Sequence, residues 1–318
     1  MRDYQWPDAL RPQPHGEVED PAREAALRAE IEGFFSRRYG VDAVLMPSGR
    51  SALHAILEFA GLGRDDTVFA PRWSSACVWD AIGRIANPTV SFTPAPQAVL
   101  AVHKWGYLHR LRTPHAGLII EDSVDSLIAG RQGLFPLGGQ FELLSLPKLL
   151  ATHAGGIVLT QRADFAAFVA GQRAERRALG VHQSRLKHRR VLGTLGEFES
   201  PELLEPLNRH VDIAGLEDIR ARLKNFDTNA GVIQRRVDAV RGHLGADAID
   251  TSAQRLPSVF PAPIARYRAD QPDLYLERHF DAARCLDAEH YVVCRLLPLH
   301  FGVNDGTFAQ LLHGLHPL

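Results

Sequence analysis

The sequence is poor in cysteine. Three stand in 318 residues, at Cys77, Cys285 and Cys294. The number is odd and no CxxC pair occurs, so neither a disulfide framework nor a zinc site is indicated. A charge excess is also missing: 36 Lys and Arg face 37 Asp and Glu, where nucleic-acid binding would show a basic surplus. No apolar run reaches the roughly twenty residues of a membrane span. The opening stretch, MRDYQWPDALRPQPHGEVED, has no apolar core of the kind a secretory signal carries. The fifteen histidines are scattered without metal-ligand spacing, and the Walker and Rossmann glycine patterns are both absent. The expectation is a cytoplasmic protein with no metal, membrane or nucleic-acid partner.

What is present is a normal globular balance, 45% hydrophobic and 23% charged. After an irregular arm, DPAREAALRAEIEGFFSRRYG predicts a helix capped by Asp20 and closed by Gly40. Short apolar runs follow at 43–46, 67–71, 89–92, 98–103 and 117–123, then FELLSL and GGIVLT, several of them separated by helical stretches. That alternation predicts βαβ units and a mostly parallel sheet. From about residue 160 the texture becomes long, charged and helical by period, and the remainder predicts a smaller α+β portion.

Four local features carry chemistry. MPSGRSALHAIL places a small-residue turn between a strand and a helix, a natural anion site, with Ser48 and Ser51 adding hydroxyls. Trp73 lies just after a strand end, where an aromatic face can stack on a flat ring. GLIIEDSVDS runs an apolar strand into Asp122, at the end of a strand where parallel sheets bind ligands. A carboxylate there can hold a proton on a cationic ring nitrogen. Lys148 stands in SLPKLLATHAGGIVLT among small and apolar residues, and a desolvated lysine is a carbonyl-reactive amine. Taken singly, each has an ordinary structural explanation. In this order they are the parts needed to hold pyridoxal 5'-phosphate.

At this point the sequence resembles the DegT/DnrJ/StrS family of sugar aminotransferases, of the aspartate-aminotransferase fold (fold type I). SGRSALHAIL is similar to the family's phosphate turn, and IIEDSVDS to its Glu-Asp-x-x-Gln stretch. LSLPKLLATHAGGIVLT is similar to its lysine segment and AVHKWGY to its Val-His-x-x-Gly element. LNRHVDIAGLEDIRARL is similar to its Asn-x-Arg segment, and LLPLHFGVND to its closing segment. The resemblance implies a mostly parallel seven-stranded sheet flanked by helices in a large domain (1–215), with a small α+β C-terminal domain (216–318). It implies that Lys148 attaches the cofactor and serves as acid and base. Asp122 would pair with the pyridine nitrogen, Trp73 would stack on the ring, and Ser48, Gly49, Arg50 and Ser51 would hold the phosphate with Ser145. Asn208 would reach the cofactor phosphate of a neighbouring subunit, since family members are homodimers with shared sites. Asp125 would lie near the cofactor's ring oxygen.

The sequence departs from the family pattern at several points. Arg50 replaces a small residue or Thr, and Asp125 replaces the usual Gln or His. The segment between Phe92 and Ala98 is shortened, and THAGG lacks the usual carboxylate. The implied activity moves an amino group from an amino acid, glutamate in the family, to a keto-sugar that is typically nucleotide-linked. Such sugars serve cell-surface polysaccharide or secondary-metabolite synthesis. The alternative is a degenerate member with a binding or structural role. A fold-type-I enzyme acting on amino acids would instead need an arginine for a carboxylate, with Arg209 and Arg295 as candidates. His103, His153 and His300 are candidate wall residues.

Overall fold

A computed structural model describes residues 20–111, 117–191, 193–197, 199–245, 248, 252, 254–281, 291–300 and 303–318. The predicted N-terminal arm and Cys285 lie outside the described residues. Helix α1 (Pro21–Tyr39) begins as expected: the Asp20 carboxylate accepts from Arg23 N at 3.0 Å, and Gly40, at φ 66°, closes it. Leu27, Ile31, Phe35 and Tyr39 recur every four residues and are buried, so one face of the helix packs inward.

The sheet follows from the apolar runs. Its strands are β1 (Asp42–Met46), β2 (Thr67–Phe69), β3 (Asn87–Thr89), β4 (Ala98–Val102), β5 (Leu118–Asp122), β7 (Phe141–Ser145) and β8 (Gly156–Thr160), arranged β1-β8-β7-β5-β4-β2-β3. All neighbouring pairs are parallel except β1 with β8 and β7 with β8. Between the strands run α2 (Gly49–Phe59), α3 (Ala76–Gly83) and α4 (Leu146–Leu150). The mostly parallel seven-stranded α/β fold expected from the sequence is present.

Both faces of this sheet are covered. Val44, Met46, Leu143 and Val158 pack into one apolar cluster with α2, while Ala43, Leu45, Leu144, Ile157 and Leu159 pack into the other with α1. Successive residues of a strand point to opposite faces, so a run such as Ala43-Val44-Leu45-Met46 must be apolar throughout. The strand expected at 89–92 falls earlier, at Asn87–Thr89, because those residues pair with β2 on the sheet edge. An edge position tolerates Pro88. From residue 90 to 97 the chain makes only bends before β4, consistent with the shortened segment.

The charged second half forms α5 (Ala163–Glu175), α6 (Arg177–Val191), α7 (Pro201–Leu204), α8 (Ile213–Leu223) and α9 (Phe226–Leu244). The C-terminal portion adds a three-stranded antiparallel sheet of β10 (Val259–Pro263), β13 (Tyr291–Pro298) and β12 (Leu276–Asp281), with helix α10 (Asp305–His313) and a strand pair, β11 (Tyr267–Ala269) and β14 (Leu315–Pro317). It meets the large sheet through β6 (Ser126–Ile128) and β9 (Arg255–Pro257), which pair antiparallel. Beneath that pairing, Arg255 and Glu142 are both fully buried and bridged at 2.7 Å, and Arg255 also reaches Ser123 Oγ and Gly133 O. The partners satisfy one another's charge, as burial requires.

Candidate active site

The carboxyl ends of β1, β4, β5 and β7 open onto a cavity of about 770 Å³, large enough for a cofactor with a substrate. Its walls bring together Ser48, Gly49, Arg50, Trp73, Asp122, Asp125, Ser145 and Lys148. These stand up to about a hundred positions apart in sequence. The sheet order assembles them, because each follows or ends a strand.

The turn after β1 is built by a capping box. Ser48 Oγ accepts from Ser51 N, and Ser51 Oγ accepts from Ser48 N. Ser51 is thereby used up within the turn. It is fully buried and is not among the residues that line the cavity, so of the four turn residues expected at a phosphate the structure brings Ser48, Gly49 and Arg50 to the wall. The N–H groups of Gly49 and Arg50, at the start of α2, have no partner within the helix. They are donors left over at the start of the helix, on residues that line the cavity.

The glycine pair after Lys148 explains itself here. Gly155, at φ 115°, adopts a backbone that side chains disfavour. Its N–H donates to Pro47 O at 2.8 Å and its carbonyl accepts from Leu146 N at 3.0 Å. A Cβ on Gly156 would stand 2.6 Å from Ser48 C and O and 2.9 Å from Gly49 N. The pair thus ties the turn directly to α4. That short helix starts with Pro147 near its N-terminus, and Leu146, Leu149 and Leu150 are buried. The remaining face carries Lys148 to the cavity.

Lys148 Nζ donates to Asp125 Oδ1 at 2.6 Å, with the lysine 30% exposed and the aspartate 17% exposed. Burial pushes the Lys148 ammonium down, but the charge and hydrogen bond of Asp125, then the charge of Asp122, outweigh it, and the net shift is upward. Asp122 is 4% exposed. Burial raises its carboxyl to about 6, against the Val124 N–H bond and the Lys148 charge, which pull it down.

Other expected residues lie elsewhere. Asn208 is 3% exposed, its amide engaged by Gln183 and His210, and it is not brought to this cavity. Arg209 is buried against Glu58, His54 and Gln172, and Arg295 donates to Tyr267 O, so neither reaches the cavity to bind a carboxylate. His103 is fully buried behind the wall. Its Nδ1 accepts from His109 N at 3.0 Å, so Nε2 carries the proton toward Glu121 at 2.8 Å. Burial lowers its pKa to about 3, and it stays neutral. His153 and His300 do line the cavity.

Sequence reasoning missed several charged and aromatic wall residues, Arg72, Lys104, Trp105, Lys187 and Glu205 among them. Lys104 lies over the rings of Trp73 and Trp105, 4.9 and 4.6 Å from their centroids. Trp105 itself sits at φ 56°, an uncommon backbone for so large a residue. A lysine and a tryptophan directly after a strand end were the available signal. Lys187 and Glu205, which pair at 3.6 Å, come from the helical half and belong to no motif.

A family model described as "Putative PLP-dependent aminotransferase" matches residues 31–315. The chain belongs to that family. The fold agrees with solved aminotransferase structures. DesV of S. venezuelae shares 16% identity at a TM-score of 0.57, over 93% of this chain and 89% of that one. TlmJ of Streptoalloteichus hindustanus shares 16% at 0.58, over 92% and 89%. A DegT DnrJ EryC1 StrS aminotransferase of Brucella abortus shares 14% at 0.59, over 93% and 90%. The DegT/DnrJ/StrS resemblance therefore holds at the level of the fold. No curated protein matches the sequence.

The aminotransferase's cavity fits pyridoxal phosphate on its own geometry. Ser74 Oγ and His153 Nδ1 are buried at its wall without a hydrogen-bond partner among the described residues, as expected where a polar ligand completes the set. Gly49 has Val124 Cγ1 only 3.2 Å from where a Cβ would stand, so the turn can close on the strand end beside Asp122.

Two outcomes follow from this geometry. Gly156→Ala pushes against backbone, so stability should fall by roughly 1–3 kcal/mol, and cofactor affinity should drop at least about tenfold as the turn shifts. Denaturation and cofactor titration read both, and unchanged values in both would contradict the tie. The second concerns pH. The Asp122 carboxyl is raised above its ordinary 3.8 to about 6, so the unfolded chain releases this proton first and stability falls as pH rises from about 4 through 6. Cofactor-free Asp122→Asn should match the wild type near pH 4 and exceed it at pH 7 by up to roughly 3 kcal/mol. A constant difference across that range would contradict the assignment.

Proposed function

We propose that this aminotransferase moves an amino group from an amino acid, with glutamate as donor, to a keto-sugar carried on a nucleotide. The observation that carries the reading is the convergence of Lys148, Asp122 and the Ser48–Arg50 turn on one cavity. Bound pyridoxal phosphate supplies an electrophilic carbonyl and a ring that accepts an electron pair. The Gly49 and Arg50 N–H groups and the Ser145 hydroxyl would hold its phosphate, and Trp73 would offer an aromatic face to its ring. Asp122 would favour a proton on the ring nitrogen, and a cation there would offset the cost of the aspartate's own buried charge. Lys148 Nζ would be the amine that holds the cofactor's carbonyl carbon and, when free, the base for the proton on the donor's α-carbon. Transfers of this kind are worth ~10²–10⁴-fold.

The sugar acceptor is supported by a neighbour of 19% identity and TM-score 0.54, DesI, solved "in the presence of its TDP-sugar product", over 97% of this chain and 92% of that one. The cavity adds Arg50, Arg72, Lys104 and Lys187 to the lysine of attachment, a set suited to carboxylate and phosphate groups. A homodimer with shared sites, a cytoplasmic location and a role in polysaccharide or secondary-metabolite synthesis belong to the same reading. Asn208, expected at a neighbouring subunit's cofactor, is held within this chain by Gln183 and His210. Among the described residues no helix is long and apolar enough to cross a membrane.

The test is spectroscopic. Purified protein with pyridoxal phosphate should develop an absorbance band that glutamate converts to that of the pyridoxamine form. Lys148→Ala should abolish the conversion. A band that glutamate leaves unchanged points instead to a degenerate binding protein, and no band in the wild type contradicts the reading altogether.

A further inference from the structure

The geometry points to Asp125 as the residue that holds a proton on Lys148 and so governs when this amine can react with a carbonyl. The inference rests on the function proposed above. Asp125 stands where the family pattern has an uncharged Gln or a His, and near a cofactor phosphate a second carboxylate is out of place. The structure resolves the difficulty: the Asp125 carboxylate faces Lys148, with Oδ1 2.6 Å from Nζ.

The contact is built rather than incidental, because the turn that carries Asp125 is fixed on every side. Ser123 is gripped by Arg255 and Glu142. Asp125 O accepts from Ser258 N at 2.9 Å. Ser126 Oγ accepts from Gly106 N at 2.7 Å, and Ser126 pairs with Pro257 in the β6–β9 ladder. A carboxylate on so constrained a turn keeps its distance to Lys148 without a large entropy cost. An opposite charge in contact favours the ammonium, whereas attachment to a carbonyl needs the free amine.

Other charged and titratable groups face the same space. Asp122 comes from β5, Cys77 from α3, Arg50 from α2 and Arg72 from the loop after β2. Lys104 follows β4, His153 follows α4, and His300 follows β13. Lys187 and Glu205 close the far side. Glu205 is already paired with Arg50 at 3.3 Å and Lys187 at 3.6 Å. Asp122, though it acts on Lys148 by charge, takes its hydrogen bond from Val124 N. Among the described residues, Asp125 is the carboxylate hydrogen-bonded to the amine.

The step is a proton transfer with a simple balance. The Lys148 ammonium would give one proton to solvent, against the pull of the Asp125 carboxylate. The freed lone pair would add to the carbonyl carbon, and the carbonyl oxygen would leave as water with the two remaining Nζ protons. Hydrolysis or exchange with another amine would reverse this and let Nζ take its proton back from solvent. Asp125 acts through Lys148 and is a positioning residue. Its removal should shift the pH profile of Lys148 rather than merely lower activity.

The experiment starts on the cofactor-free protein, with competitive acetylation of Lys148 by limiting acetic anhydride from pH 6 to 10, followed by peptide mass spectrometry. In Asp125→Asn the Lys148 profile should move to lower pH, with labelling at pH 7 raised about tenfold or more, a change equivalent to one pKa step. Asp125→Glu should restore most of the wild-type profile. Asp122→Asn, the control for charge without contact, should move it less. The rate of cofactor loading, followed by its absorbance band, should shift along pH in the same direction. Superimposable acetylation profiles for wild type and Asp125→Asn overturn the inference. If the labelling shift appears but no band ever forms, Asp125 keeps its role and the aminotransferase reading fails instead.

Discussion

The site depends on the tie that Gly155 and Gly156 make between the phosphate turn and the lysine helix. Gly155 bonds through its N–H to Pro47 and through its carbonyl to Leu146. Gly156 lies against the Ser48 and Gly49 backbone with no room for a side chain. The turn after β1 and the helix after β7 belong to strands separated by β8. Antiparallel β8 starts at this point and runs between them, so its first residue can touch both. The spacing between the turn and the backbone that carries Lys148 is therefore set by main-chain contacts, while Asp125 fixes where the Lys148 amine ends.

Onto that frame the protein places charges in graded burial. Asp122 is nearly inaccessible and is held above its ordinary pKa, so it is poised to receive a cation. Lys148 and Asp125 are more exposed and pair with each other. Beneath them, Arg255 and Glu142 are fully buried and lock the Asp122–Ser126 turn to the C-terminal portion. The C-terminal portion also supplies Ser258, Val259 and His300 to the cavity wall. Strand ends, turn and C-terminal portion thus share one network, and the reacting groups sit where all three meet.

Much of this was legible in the sequence because it depends on local pattern. Apolar runs at strand length, a small-residue turn before a helix, and an acid ending a strand each report their own surroundings. The fold and the convergence of Lys148, Asp122 and Gly49 follow from them. What could not be read depends on partners distant in the chain. Ser51 looks like a phosphate ligand until its hydroxyl is seen to close a capping box. Arg209 looks available until Glu58 is found beside it. Asp125 looks misplaced until Lys148 is found 2.6 Å away. Lys187 and Glu205 come from the helical half, where charge patterns reflect solvent exposure and give no sign of a cavity.

The proposed function requires Lys148, rather than Lys104 between its two tryptophans or Lys187, to carry the cofactor. Borohydride reduction of the protein loaded with pyridoxal phosphate, then peptide mapping, tests it most directly. The account predicts one pyridoxyl adduct, on Lys148. An adduct on Lys104 or Lys187 instead, or none on any of the three, would contradict it.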